Sequence, residues 1–191
     1  MPTARESLLE AAGAALAARP WPAVRMVEVA AAAGVSRQTL YNEFAGKAGL
    51  GHALVRREAA WYLDGVDRAL APPAATAEPP AAVAVAVAEW TVRAAHARPL
   101  VRALLTGCWN GNLPVPAGRG VRPGVPALGP AELVRAVRER AEAALGPGEA
   151  AQRCELALRL AVSYLIAPAA QPVPGELLRL LSGPSRTAGG R

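Results

Sequence analysis

An all-α fold is the expectation for this 191-residue chain, and three observations carry it. Hydrophobic residues make up 52% of the sequence but aromatics only 4%, so the core has to be built mainly from Ala, Leu and Val. Ala and Leu favour helices, and no long alternating run of β-branched residues offers a strand. Helix start and stop signals recur along the chain, with Pro, Gly and small hydroxyl residues bracketing apolar stretches of helical spacing.

The first helix is expected over Thr3 to Ala18, with Thr3 as N-cap and Glu6 in the first turn. Leu8, Leu9, Ala12, Ala15 and Leu16 form its inward stripe, and Arg5 lies near its start. Arg19-Pro20-Trp21-Pro22 breaks it, because neither proline fits a helix interior. Trp21 is expected to plug the junction of the three N-terminal helices.

Met26 to Lys47 organises the rest. Met26, Val29, Ala30 and Ala33 recur at helical spacing and give one face for burial. Gly34 stops this helix in a left-handed backbone conformation, Val35 is an apolar plug, and Ser36 can cap the next helix. That helix, Arg37 to Phe44, keeps Leu40 and Phe44 inward and turns Arg37, Gln38, Thr39, Tyr41 and Asn42 outward. Two helices joined by a short glycine turn make a helix-turn-helix. Arg, Asn and Gln can pair with base edges, while Thr and Tyr hydroxyls can hold phosphates. The plainer alternative is that Gly34 only ends a helix and the polar residues form a solvated face.

Ala30, Ala33-Gly34-Val35-Ser36, Thr39-Leu40-Tyr41, Phe44 and Lys47 resemble the DNA-binding signature of the TetR family of bacterial regulators, over the first quarter of the chain. Gln38 stands where that pattern has a small residue, often Gly, and Arg25 where a Thr commonly opens the earlier helix. The resemblance implies a helix-turn-helix DNA-binding domain over 1–48 and a helical effector-binding and dimerisation domain over 49–182, while the tail over 183–191 is expected to be disordered. It also implies a homodimer on double-stranded DNA carrying an inverted repeat, acting as a repressor that a small molecule releases. Arg37, Gln38 and Asn42 are then the expected base readers. Ser36, Thr39, Tyr41, Lys47 and Arg25 would hold the DNA backbone, with Arg5 within reach of it.

After Ala45-Gly46, Lys47 opens a long helix to about Leu70, carrying His52, Trp61 and Tyr62; the two aromatics are expected to face the body of the protein. Ala71 to Pro80 reads as a connector. Ala81 to about Ala97 is expected to be a helix, since the Glu89, Arg93 spacing and alanine content outweigh the alternation of Val83, Val85 and Val87. A short helix follows from Leu100 to about Cys108, with Leu104 and Leu105 buried. Asn110 to Pro130 is rich in Pro and Gly and includes Arg119 and Arg122; it is either a mobile segment or a lid over a pocket.

Two more helices are expected, Ala131 to Leu145 and Glu149 to Ile166. The second confines its polarity to Gln152, Glu155, Arg159 and Ser163 and is otherwise apolar over a wide arc. Either it is simply buried within one chain, or one side meets a second subunit. Gly175 to Leu181 adds a short leucine-rich helix. The resemblance places the last two helices in a four-helix dimer interface, where Leu156, Leu160, Tyr164, Leu177 and Leu181 are expected. Trp90, His96, Leu104, Cys108 and Trp109 are candidate walls for an apolar pocket suited to a hydrophobic effector, with core packing as their alternative role.

Charge refines the picture. The chain carries +6 overall, yet residues 1–70 hold 8 Lys+Arg against 7 Asp+Glu. DNA binding therefore has to rest on placed cations, with Arg25, Arg37 and Lys47, the only lysine, as candidates. Cys108 and Cys154 have no C-x-x-C spacing, and neither a signal pattern nor a membrane-length apolar run is present, which points to a cytoplasmic protein. No H-E-x-x-H, nucleophile elbow or phosphate loop appears, so neither an enzyme nor a cofactor or metal site is expected. The alternatives within the same architecture are an activator, or a helix-turn-helix working through protein contacts without a ligand.

Overall fold

The computed structural model describes residues 2–71, 80–114 and 128–167. Among these the chain is all-helical: α1 Ala4–Ala18, a 3-10 turn at Trp21–Ala23, α2 Met26–Ala32, α3 Arg37–Phe44, α4 Lys47–Leu70, α5 Pro80–Ala97, α6 Pro99–Thr106, α7 Pro130–Leu145 and α8 Glu149–Ile166. No described helix is long and apolar enough to cross a membrane. Most of the connector Ala71 to Pro80, most of Asn110 to Pro130 with Arg119 and Arg122, the helix expected over Gly175 to Leu181, and the tail 183–191 lie outside the described residues.

The described residues form two compact units. The first draws on Met1–Trp61 and Gly107–Gly129, the second on Tyr62–Thr106 and Pro130–Arg191. The boundary between these units falls inside α4, and the first unit includes a segment from far along the sequence.

In the first unit, α1 begins with a full capping box: the Thr3 hydroxyl accepts from the Glu6 amide, and the Glu6 carboxylate accepts from the Thr3 amide at 2.7 Å. The Thr3 amide first, and then the Thr3 hydroxyl donating to the same carboxylate at 3.0 Å, hold the Glu6 carboxyl below its ordinary pKa. Leu8, Leu9 and Ala12 of α1 are buried with Val29 and Ala30 of α2, Leu40 and Phe44 of α3, and Leu50 and Leu54 of α4. Trp21 is buried as expected. Its backbone N–H donates to the Asn112 carbonyl at 2.7 Å. A Cβ at Gly51 would lie 3.0 Å from Pro114 Cβ and 3.1 Å from Trp21 Cζ2, so the glycine lets both rings approach α4.

In the second unit, α5 and α7 pack on α8, and α6 packs on α5, α7 and α8. Tyr62 is fully buried, its hydroxyl 3.0 Å from Thr91 Oγ1, while the Thr91 hydroxyl donates to the Val87 carbonyl at 2.8 Å. Burial pushes the Tyr62 phenol up to about 12, against a smaller downward pull from the Thr91 bond. The Trp90 indole N–H donates to the Tyr62 carbonyl at 3.0 Å, and Gly65 leaves the space its ring fills. On α8, Glu155 accepts from Arg159 at 2.7 Å and from Arg138 of α7 at 3.2 Å. Led by the Arg159 bond, these contacts hold its carboxyl below the usual value. The polar stripe of α8 therefore serves partly as a tie to α7.

Candidate nucleic-acid interface

The turn between α2 and α3 is fixed by backbone bonds that only one kind of residue satisfies comfortably. Gly34 takes φ +69°, its N–H donates to the Ala31 carbonyl at 3.1 Å, and the Val35 N–H reaches the Ala30 carbonyl at 3.0 Å. This pair of bonds is a Schellman ending, and it needs the left-handed residue that glycine supplies without strain. Two residues on, the Ser36 hydroxyl accepts from the Thr39 amide at 3.0 Å and lies 2.8 Å from the Thr39 hydroxyl. Ser36 thus caps α3, and Thr39 joins the cap with its side chain.

Below this start, Leu40 and Phe44 are buried, which fixes the roll of α3 about its axis. Arg37, Gln38, Tyr41 and Asn42 are consequently exposed and Thr39 half-buried. Gln38 Nε2 donates to Asn42 Oδ1 at 2.9 Å. The helix ends at Ala45, which adopts φ 54° and donates its N–H to the Tyr41 carbonyl at 2.8 Å.

The cations near α3 divide into held and unheld groups. Arg5 lies 4.6 Å from the Phe44 ring centroid, donates to the Glu43 carbonyl at 3.2 Å and pairs with the Glu43 carboxylate at 3.4 Å. Arg19 pairs with Glu28 at 2.7 Å. Lys47 Nζ donates to the Pro22 carbonyl at 2.9 Å and stands 5.6 Å from the Trp21 ring centroid. Arg25 and Arg37 are exposed and meet no hydrogen-bond or ion-pair partner among the described residues. Near α3 the unheld guanidiniums of Arg25 and Arg37 and the lysine, oriented by a carbonyl and a ring, thus stand with an exposed polar helix face. Such a surface can pair with base edges and phosphates.

The residues expected to wall an effector pocket divide between the two units. Leu104 is fully buried, Trp90 is half-buried and held by Tyr62, and His96 is exposed, all in the second unit. Cys108, exposed, and Trp109, half-buried, belong to the first unit. Of the residues expected at a dimer interface, Leu156 is 59% exposed while Leu160 and Tyr164 are half-buried; Leu177 and Leu181 lie outside the described residues. Ile166, part of the apolar arc of α8 but not of the expected interface set, is 60% exposed. The Gln38–Asn42 bond was also missed, although the i, i+4 spacing of two amides on one helix was a visible signal for it.

Comparison with known proteins agrees with this geometry. Residues 8–54 match the family described as "Bacterial regulatory proteins, tetR family". Over 66 residues the chain is 42% identical to the HTH-type transcriptional regulator AlkX of Mycobacterium tuberculosis (strain ATCC 25618 / H37Rv); the match takes in 35% of this chain and 31% of that protein. The chain therefore spans about a third of that relative's length. Two crystal structures share the fold at 22% identity. The TetR family repressor AlkX from Dietzia sp. strain DQ12-45-1b, implicated in biodegradation of n-alkanes, aligns over 93% of this chain and 90% of its own with a TM-score of 0.50. A tetR-family transcriptional regulator from Streptomyces coelicolor aligns over 95% of this chain and 78% of its own with a TM-score of 0.55.

Proposed function

We propose that the chain is a TetR-like homodimeric transcriptional repressor which binds an inverted-repeat operator and is released by a hydrophobic small molecule. The observation that carries this reading is α3: capped by Ser36, rolled by Leu40 and Phe44, and exposing Arg37, Gln38, Tyr41 and Asn42 together. Two copies of α3 related by a two-fold axis would enter successive major grooves roughly 34 Å apart. Arg37, Gln38 and Asn42 read base edges, while Ser36, Thr39, Tyr41, Arg25 and Lys47 set the register on the backbone. The amides opening α4 add their attraction for phosphate to that of Lys47.

Dimerisation is supported by α8, where Leu156, Leu160 and Tyr164 follow one another at i, i+4 and i+8 and Leu156 remains largely in solvent. Release works by linkage: an effector that prefers a conformation with the two α3 helices wrongly spaced lowers DNA affinity, and DNA lowers effector affinity by the same factor. Because α4 contributes residues to both units, it is the element through which the second unit's state would reach the first. A DNA-binding regulator acts where the chromosome is, in the bacterial cytoplasm.

The test is binding of the full chain to DNA from upstream of its own coding sequence, followed by fluorescence anisotropy at several salt concentrations. A salt-sensitive complex that prefers one inverted repeat over scrambled DNA is expected. Equal affinity for both would overturn the reading, and an operator affinity indifferent to every hydrophobic effector tried at saturation would remove the release step.

A further inference from the structure

Gln38 and Asn42 stand one helical turn apart on the exposed face of α3, a spacing that brings their side chains together. Gln38 Nε2 donates to Asn42 Oδ1 at 2.9 Å. A glutamine amide has two N–H donors and one carbonyl acceptor. Committing one N–H to Asn42 leaves one N–H and the carbonyl for anything that approaches the helix.

One donor beside one acceptor is the complement of adenine in the major groove, which presents the N7 acceptor next to the N6 donor. It is a poor complement of guanine, whose N7 and O6 are both acceptors and require two donors. A glutamine with both N–H groups free can turn its NH2 toward guanine. One that already donates to Asn42 cannot do so without giving up that bond.

Resting on the reading of α3 as the DNA-contacting helix, we propose that Asn42 is a positioning residue for Gln38, and that the two side chains together read a single adenine in each half-site. Asn42, counted above among the base readers, then acts on a base edge through Gln38 rather than at a position of its own. The bond also restricts Gln38 before DNA arrives, so less side-chain freedom is lost on binding.

The experiment selects a randomised double-stranded DNA library with the full chain and with Gln38→Ala, Asn42→Ala, Asn42→Asp and the double alanine variant, then sequences what each retains. Circular dichroism checks that each variant keeps its helix content. The wild-type chain is expected to select an inverted repeat with an adenine whose preference over guanine falls by about tenfold in Asn42→Ala. Gln38→Ala should relax that same position, and the double variant should do no more than Gln38→Ala. Asn42→Asp retains the acceptor and should keep the adenine-to-guanine ratio, although its charge lowers affinity for every sequence. Relaxation of two different positions by the two alanine variants overturns the positioning role and leaves α3 as the DNA reader. An unchanged ratio in Asn42→Ala, or a lost ratio in Asn42→Asp, overturns it as well. Selection of no sequence by the wild-type chain overturns both this inference and the function on which it rests.

Discussion

Arg37 opens α3 and projects into solvent with no carboxylate to hold it among the described residues, so its removal takes little from the fold. Arg37→Ala should cost about 1–3 kcal/mol of operator affinity and relax one base position, with helix content unchanged. Anisotropy on a panel of single-base operator variants reads both effects. Lys47 is different, because the Pro22 carbonyl and the Trp21 ring already aim its side chain. Lys47→Ala should weaken all sequences alike and reduce the salt slope by about one, which a salt titration on specific and scrambled DNA separates from loss of specificity. Inside the second unit, the raised Tyr62 phenol makes a stability prediction. Its folded pKa, about 12, lies above the ordinary value of 10.0, so the folded chain keeps a proton that the unfolded chain has released. The stabilisation is complete below pH 10 and is lost as the pH rises through the folded value, by on the order of 2–3 kcal/mol. Tyr62→Phe should remove that loss, as urea melts from pH 9 to 12 would show. The caps at Thr3 and Ser36 and the glycine at 34 were legible in the sequence because each depends on residues within a few positions. The ties of Arg5 to Glu43 and of Lys47 to Pro22 were not, since they join residues that only folding brings together.

At the scale of elements, α4 was readable as one long helix, but the reason for glycine at 65 was not. A Cβ there would run into the indole ring of Trp90, so the glycine is the seat on which α5 crosses α4. Helix propensity alone favours alanine by about 1 kcal/mol at such a site. Overpacking opposes it and commonly costs about 1–3 kcal/mol. Gly65→Ala should therefore destabilise the chain despite being the better helix former, by a lowered urea midpoint at constant slope; an unchanged or raised midpoint would show that the Trp90 ring gives way. The polar stripe of α8 carries a related lesson. Gln152, Glu155, Arg159 and Ser163 read from the sequence as one narrow polar stripe, and folding turns Glu155 of that stripe onto Arg138 of α7. Which residues on neighbouring helices meet depends on crossing angle and roll, and one chain's periodicity records neither.

For the whole molecule, the apolar breadth of α8 was plain from the sequence, and the structure leaves Leu156 and Ile166 largely in solvent. Replacing Leu156 with Asp should turn the proposed dimer into a monomer with little loss of fold, because 59% of the residue already lies in solvent within one chain. Sedimentation velocity checks the oligomer, and the same variant should lose the affinity gained from engaging two half-sites at once. The unit boundary was legible only in part. Local signals placed the end of the helix-turn-helix near residue 48, while nothing near the N-terminus announces that Asn112 supplies the carbonyl for the Trp21 amide.

That last bond bears on how the protein is made. Synthesis proceeds from the N-terminus at about 5–20 residues per second, and segments that emerge first begin to fold first. The helices α1, α2 and α3 can form as they leave the ribosome, but the Trp21 N–H has no Asn112 to meet, and Pro114 is not yet there beside Gly51. The unit that comes first in the sequence is therefore completed late in translation, after α5 and α6 have been made. Until then the nascent first unit carries a tryptophan whose contacts are unfinished, and it is completed only on a chain that already holds α5 and α6 of the second.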